Sequence, residues 1–308
     1  MLQFHVRPTT QRNAAARYRV LVGWHDRVSR ALARGDPHLA VFYGSLVGRI
    51  VGRLRLYGAT PDEIGALFGS LPDRRRRAIA QTVCAAAWMD RVVSPLVQRV
   101  GYDDFNRMVV SHCDEQIRRL HWERRAAILG FMHSGPLLGM SSTLHRLEIP
   151  ALVITRARHH RGKTPLDVCH VADTAASRRF TLKRAVDKLR TGGIVLWALD
   201  LPGTSRLRVR IFGRELAFAR GPFAAARLSG ALLLPLTACW TSRRRIEVRS
   251  GEPLGPPGHA SRPSDHSRNR ALAMEQALAA DASAWFEDYY RKHPEQISMA
   301  LLRKLFTQ

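Results

Sequence analysis

From residue 126 onward, short apolar runs containing β-branched residues recur at intervals filled by segments of helical length: AAILGFM (126–132), ALVITRA (151–157) and GIVLWALD (193–200). Runs this short and this apolar suit strands covered on both faces. Strands that alternate with helices pair side by side through crossover connections, which makes their sheet parallel. The expected fold class is therefore α/β, a central and mostly parallel sheet flanked by helices. Further along, RLRVRIFG (206–213) alternates charged and apolar residues as a half-exposed strand does. GPFAAARLSG (221–230) reads as a short helix, ALLLPLTACW (231–240) as a buried strand and RRRIEVRS (243–250) as an edge strand. The Gly/Pro-rich stretch 251–269 reads as a loop, and the remaining C-terminal residues as helix.

The first part of the chain has a different pattern. LPDRRRRAIAQTVCAAAWMDRVVSPLVQRV (71–100) places apolar residues at helical spacing after a Pro-Asp start, and YDDFNRMVVSHCDEQIRRL (102–120) does so again. The expected organisation is a basic helical region over residues 1–120 and an α/β core over 121–308, continuous with it as one domain. The run 74-RRRR-77 suits a solvated helix face or a contact with lipid or carrier.

With 308 residues, 45% of them hydrophobic, the chain can bury a sizeable core. Its 49 Lys and Arg against 25 Asp and Glu give a net charge of +24, a field that attracts nucleic acid, anionic lipid headgroups or an acidic carrier protein. No nucleic acid is expected, because the arginines are spread over predicted helices and strands alike, without a binding module or an aromatic stacking motif. Cys84, Cys113, Cys169 and Cys239 form no CxxC pair, which suits a reduced, intracellular protein. MLQFHVRPTTQRNAAARYR carries no apolar core of a signal peptide, and no stretch reaches 18 apolar residues without charge. The expected location is cytoplasmic, with any membrane contact peripheral.

In open α/β sheets, ligands bind beyond the carboxyl ends of the strands. His133 ends the first apolar run and Asp200 the third, so the two can share a crevice. Other templates fail. Met132 stands where a G-x-S-x-G elbow around Ser134 needs its first glycine. Gly162-Lys163 lacks the upstream glycine of a P-loop, and no G-x-G-x-x-G follows a predicted strand. His159, His160 and His170 are close in sequence without an H-E-x-x-H arrangement, and read as exposed loop histidines or part of a basic rim. Neither a metal nor a cofactor is expected.

Several stretches, taken in order, resemble the bacterial lipid A biosynthesis acyltransferases, within the lysophospholipid acyltransferase superfamily. They are ILGFMHSGPLLGMSSTLHRLEIPALVITR, AVDKLRTGGIVLWALDLPG, VRIFGRELAFARGPFAAARLSGALLLPLTACW and the tail YYRKHPEQISMALLRKLF, which fall between residues 128 and 306, and the resemblance as a whole covers about residues 70 to 306. The resemblance rests on a histidine in H-x-G after a strand, a Lys-Leu-x-x-Gly-Gly lead into a strand ending in Asp, and a Phe-Gly segment. A Gly-Pro helix, a strand preceded by small residues and a C-terminal P-E-Q segment complete it. It implies acyl transfer from an acyl-carrier protein or acyl-CoA to a hydroxyl or amine.

In that family the histidine is a general base within H-x-x-x-x-Asp/Glu. His133 matches the base, but the acid position holds Leu138. A base histidine needs its second nitrogen held by an acceptor, and gains basicity from a carboxylate. Three accounts stay open: Asp200 or Glu215 supplies the carboxylate, a backbone carbonyl orients the ring, or transfer has given way to acyl or carrier binding or to altered chemistry. Gly135, Gly221 and Pro222 are candidates for close backbone approach to a thioester, with N–H groups at the 221 helix start for an oxyanion. Ser134 beside the base, and Arg156 and Arg158 after a strand, are candidate substrate contacts. The chain also lacks the family's N-terminal membrane-spanning helix, which opens soluble acceptors such as carrier-tethered intermediates of natural-product assembly.

Overall fold

A strand that is apolar on both faces must lie inside its sheet, and AILGF (127–131) and IVLWA (194–198) are buried at every residue. The computed structural model of the chain describes residues 22–28, 31–32, 36–53, 58–133, 135–155, 166–172, 174–201, 205–255 and 268–306. These belong to two compact units, Met1–Arg99 and Val100–Gln308.

The first unit is helical. Helix α1 (Pro37–Arg53) carries Gly44, Gly48 and Gly52 four residues apart, a spacing that puts all three on one stripe. Against that stripe lies α3 (Asp73–Asn106), so close that a Cβ on Gly48 would stand 2.5 Å from the Ala85 Cα. Val51, Cys84 and Trp88 fill the core beside it. Between them α2 (Pro61–Phe68) opens on a reciprocal cap: Thr60 Oγ1 accepts from the Glu63 amide at 3.1 Å, and Glu63 accepts from the Thr60 amide at 2.7 Å. Helix α3 breaks at Gly101, whose φ of +77° favours glycine.

The second unit is α/β. Its elements run β1 (Val109–Ser111), α4 (Asp114–Trp122), β2 (Ala127–Phe131), α5 (Leu138–Arg146), β3 (Ala151–Thr155), β4 (Asp167–His170), α6 (Ala175–Arg190) and β5 (Ile194–Ala198). A hairpin of β6 (Arg206–Ile211) and β7 (Arg214–Ala219) follows, then α7 (Arg220–Ser229), β8 (Leu232–Trp240), β9 (Ile246–Ser250), α8 (Arg268–Lys292) and α9 (Met299–Phe306). Among the described residues seven strands form the main sheet in the order β1-β9-β8-β2-β5-β3-β4, every pair parallel except β8 with β9. Buried Glu275 on α8 ties down α7 through Arg220 and through Arg227, whose Nε lies 2.9 Å away.

The sheet departs from the sequence expectations at its margins. Residues 109–111, expected as helix, form β1, because β9 offers them a parallel partner. β9 itself, expected as an edge, lies between β8 and β1. His170 stands on β4 at the opposite edge rather than in a loop. Residues 100–120, read with the basic helical region, belong to the second compact unit.

Candidate functional site

β2 and β5 are neighbours in register, Ala127 opposite Ile194 and Phe131 opposite Ala198. The same offset continues past the last pair, where the Leu199 amide donates to the Phe131 carbonyl at 2.7 Å, and it brings His133 to Asp200. The His133 amide lies 3.0 Å from each Asp200 oxygen, and the ring Nδ1 lies 2.7 Å from Oδ1. The Asp200 side chain is 2% exposed and that of His133 37%.

Lys304, on α9, completes the group. Its ammonium pairs with Asp200 Oδ2 and lies 3.3 Å from the Asp200 carbonyl oxygen. Burial alone would raise the Asp200 carboxyl. The hydrogen bond and charge of His133, with the charge and hydrogen bond of Lys304, outweigh it and hold Asp200 at about 2. An ionised carboxylate only accepts, so the ring's Nδ1 carries the hydrogen of this bond. The buried acid orients the ring through Nδ1, so that Nε2 is the nitrogen of a neutral imidazole that would take a proton.

The turn after His133 is shaped by Gly135. Its φ is +89°, and a Cβ there would stand 2.1 Å from the Ala238 carbonyl oxygen, so only glycine lets this turn lie on β8. Leu138 opens α5, half-buried. The carboxylate that meets the His133 ring is that of Asp200, just past β5.

Glu215 does not join the site. It sits near the tip of the β6–β7 hairpin opposite Arg210, its side chain 55% exposed, with Arg208 Nε 3.5 Å from Oε1. Four residues separate it from Ala219, about 13 Å of strand, and it is Ala219 whose amide meets the Leu199 carbonyl at 2.6 Å. At the start of α7 the Arg220 amide donates to the Ser205 carbonyl, and a Cβ on Gly221 would stand 3.0 Å from the Trp197 ring. Pro222 is buried and has no N–H to offer. This helix start is thus joined to the residues around β5, and Gly221 permits close packing there. The expectations for Ser134, Arg156 and Arg158 lie outside the described residues.

The four cysteines are buried thiols outside any disulfide, and burial pushes those of Cys84, Cys113 and Cys239 up to about 12, 11 and 12. Such thiols are poor nucleophiles at neutral pH. Among the described residues no cluster of three His, Cys, Asp or Glu side chains could hold a metal ion.

Sequence reasoning missed Lys304, which lies 104 residues from Asp200. The available signal was the tail segment PEQISMALLRKLF, whose Pro294–Gln296 turn anchors through a hydrogen bond from Tyr289 to Gln296. No protein-family model matches the chain, and a search of curated proteins gives no match.

Proposed function

We propose that the protein is an acyltransferase that moves an acyl group from a thioester, on an acyl-carrier protein or CoA, to a hydroxyl or amine acceptor. The observation that carries this reading is the His133–Asp200 pair at the carboxyl end of the central parallel strands. His133 Nε2 takes the proton from the acceptor O–H or N–H as the acceptor attacks the thioester carbonyl carbon. The C–S bond then breaks, and the imidazolium returns its proton to the departing thiolate. Asp200 holds the ring and stabilises its transient charge. The order of motifs shared with the lipid A acyltransferases supports the same chemistry.

Two surfaces support the expected partners. Arg206, Arg208 and Arg210 alternate along the exposed face of β6, the row beginning opposite Ala219 beside the end of β5. Side chains two apart on a strand are about 6.7 Å apart, close to the roughly 6 Å between carboxylates one turn apart on an acidic helix. That match favours an acidic carrier as donor. On α1, Leu39, Phe42, Leu46 and Ile50 are exposed along one stripe, with Arg49 and Arg53 on the same helix. No helix of the described residues is long and apolar enough to cross a membrane. The stripe instead fits peripheral contact with an anionic membrane surface from the cytoplasmic side.

The test is mass spectrometry of products after the full chain is incubated with acyl-carrier protein or acyl-CoA and candidate hydroxyl and amine acceptors. Transfer is expected, and His133→Ala should lower it at least about 10²-fold. A folded wild-type protein that binds acyl donors yet transfers to no acceptor would overturn the reaction and favour an acyl-binding protein.

A further inference from the structure

We infer that Lys304 is a positioning residue for His133: by sharing the buried Asp200 carboxylate, it limits how far that carboxylate favours the protonated ring. The inference rests on the reading of His133 as a general base and adds a regulator of its basicity from the other end of the chain.

The geometry divides the carboxylate between two partners. Oδ1 takes the ring Nδ1 at 2.7 Å and Oδ2 takes the Lys304 ammonium, while the His133 amide reaches both oxygens. With a neutral ring the three groups sum to zero charge, and protonating His133 would leave a net positive charge around a carboxyl that is 2% exposed. Without Lys304, Asp200 and an imidazolium would form a neutral pair, and the ring would hold its proton to higher pH. An acid alone makes its histidine more basic; the added ammonium tempers that effect.

Among the described residues, the titratable groups bonded to Asp200 are His133, from the turn after β2, and Lys304, from α9. The Phe131 ring on β2, which carries no charge, lies 5.9 Å from the imidazole at a tilt of 57°. Lys304 is held where it acts by the helix that bears it. Leu301, Leu302 and Leu305 bury the inner face of α9, and Ser298 Oγ accepts from the Leu301 amide at 3.0 Å. Arg214 donates to the Leu305 carbonyl at 3.2 Å and lies 4.0 Å over the Phe306 ring. A lysine needed only for solubility has no reason to sit on a short apolar helix pinned at so many points.

The experiment is an NMR titration of the His133 ring in the full chain, wild type against Lys304→Met, Lys304→Gln and Lys304→Arg. The midpoint should rise by about one pH unit in the Met and Gln variants and stay near wild type in the Arg variant. Under single-turnover transfer, the acid limb of the rate profile should move by the same amount, costing up to about tenfold below the midpoint and little above it. An unmoved ring titration in folded Met and Gln variants overturns the role of Lys304. The titration needs no acyl donor, so a wild type without transferase activity would defeat the reaction alone, and the coupling of Lys304 to His133 would still be decided by the ring.

Discussion

Two groupings of a histidine, a carboxylate and a cation stand among the described residues of the α/β unit. His133 meets Asp200 and Lys304 at the end of β2 and β5, whereas His112 meets Glu247, which also pairs with Arg249, between β1 and β9. Their hydrogen bonds are alike, 2.7 Å in the first and 2.8 Å in the second. Burial separates them. Asp200 is 2% exposed, Glu247 15%, and the His112 side chain is 45% exposed. Burial also pulls the Glu247 carboxyl upward, and Arg249 and His112 bring it below its usual range; these partners stand on half-buried β9 and just past the edge strand β1. His133 and its acid instead sit at the carboxyl ends of central strands, where the backbone turns away and leaves room for a ligand. Two clusters of the same chemical composition therefore differ in burial and placement: one sits past the ends of the central strands β2 and β5, the other along β9 and the edge strand β1.

The largest expected effect tests that contrast directly. Asp200→Asn should lower single-turnover transfer about 10²-fold, nearly as far as His133→Ala, because members of one unit do not add. Glu247→Gln should stay within about twofold of wild type. Comparable losses in both variants would abolish the distinction between the two clusters.

Stability should separate them next. The Asp200 carboxyl falls from 3.8 to about 2 on folding. A group depressed in the folded state stabilises the fold above its unfolded value and loses that contribution as pH falls through the folded one. Asp200 should therefore contribute about 2 kcal/mol at neutral pH, lost between about pH 4 and pH 2. Denaturant midpoints followed through that range should be flatter for Asp200→Asn than for wild type; parallel curves would remove Asp200 from the account of acid stability.

A smaller effect belongs to the donor. Joint reversal of Arg206, Arg208 and Arg210 to Glu should weaken binding of an acidic carrier about tenfold at low salt, and the difference should shrink as the Debye length falls from roughly 10 Å to a few ångströms. Arg249→Glu, beside His112, should leave carrier affinity near wild type. Equal weakening by both changes, measured by fluorescence anisotropy, would reduce the arginine row to general charge.

The smallest effects are expected at Leu138 and Glu215. With Nδ1 already held by Asp200, Leu138→Glu should give little or no gain in rate, and Glu215→Gln should leave transfer within about twofold. A large loss in the Glu215 variant would reinstate it as a partner of the base.

Much of the site was legible because strand ends are local features. An apolar run that stops at His133, and another that stops at Asp200, can be read without knowing the neighbours of either. Glu215 shows where such reading stops: its segment lies near the site at Ala219 and away from it at the hairpin tip, and only the pairing of β6 with β7 separates the two ends. The glycine stripe of α1 was readable at Gly44, Gly48 and Gly52, but its meaning required the close approach of α3.

By itself, the sequence determined the α/β alternation and the buried strands, because burial leaves a periodic mark on local residue choice, and it placed His133 and Asp200 at strand ends while leaving Glu215 and a backbone carbonyl as rival partners of the ring. Tertiary structure alone decided that β5 would insert between β2 and β3 in the register that joins His133 to Asp200, that residues 109–111 would add a strand, and that Lys304 would arrive from the last helix. Periodicity records that a segment is covered; crossover paths and long-range packing choose what covers it.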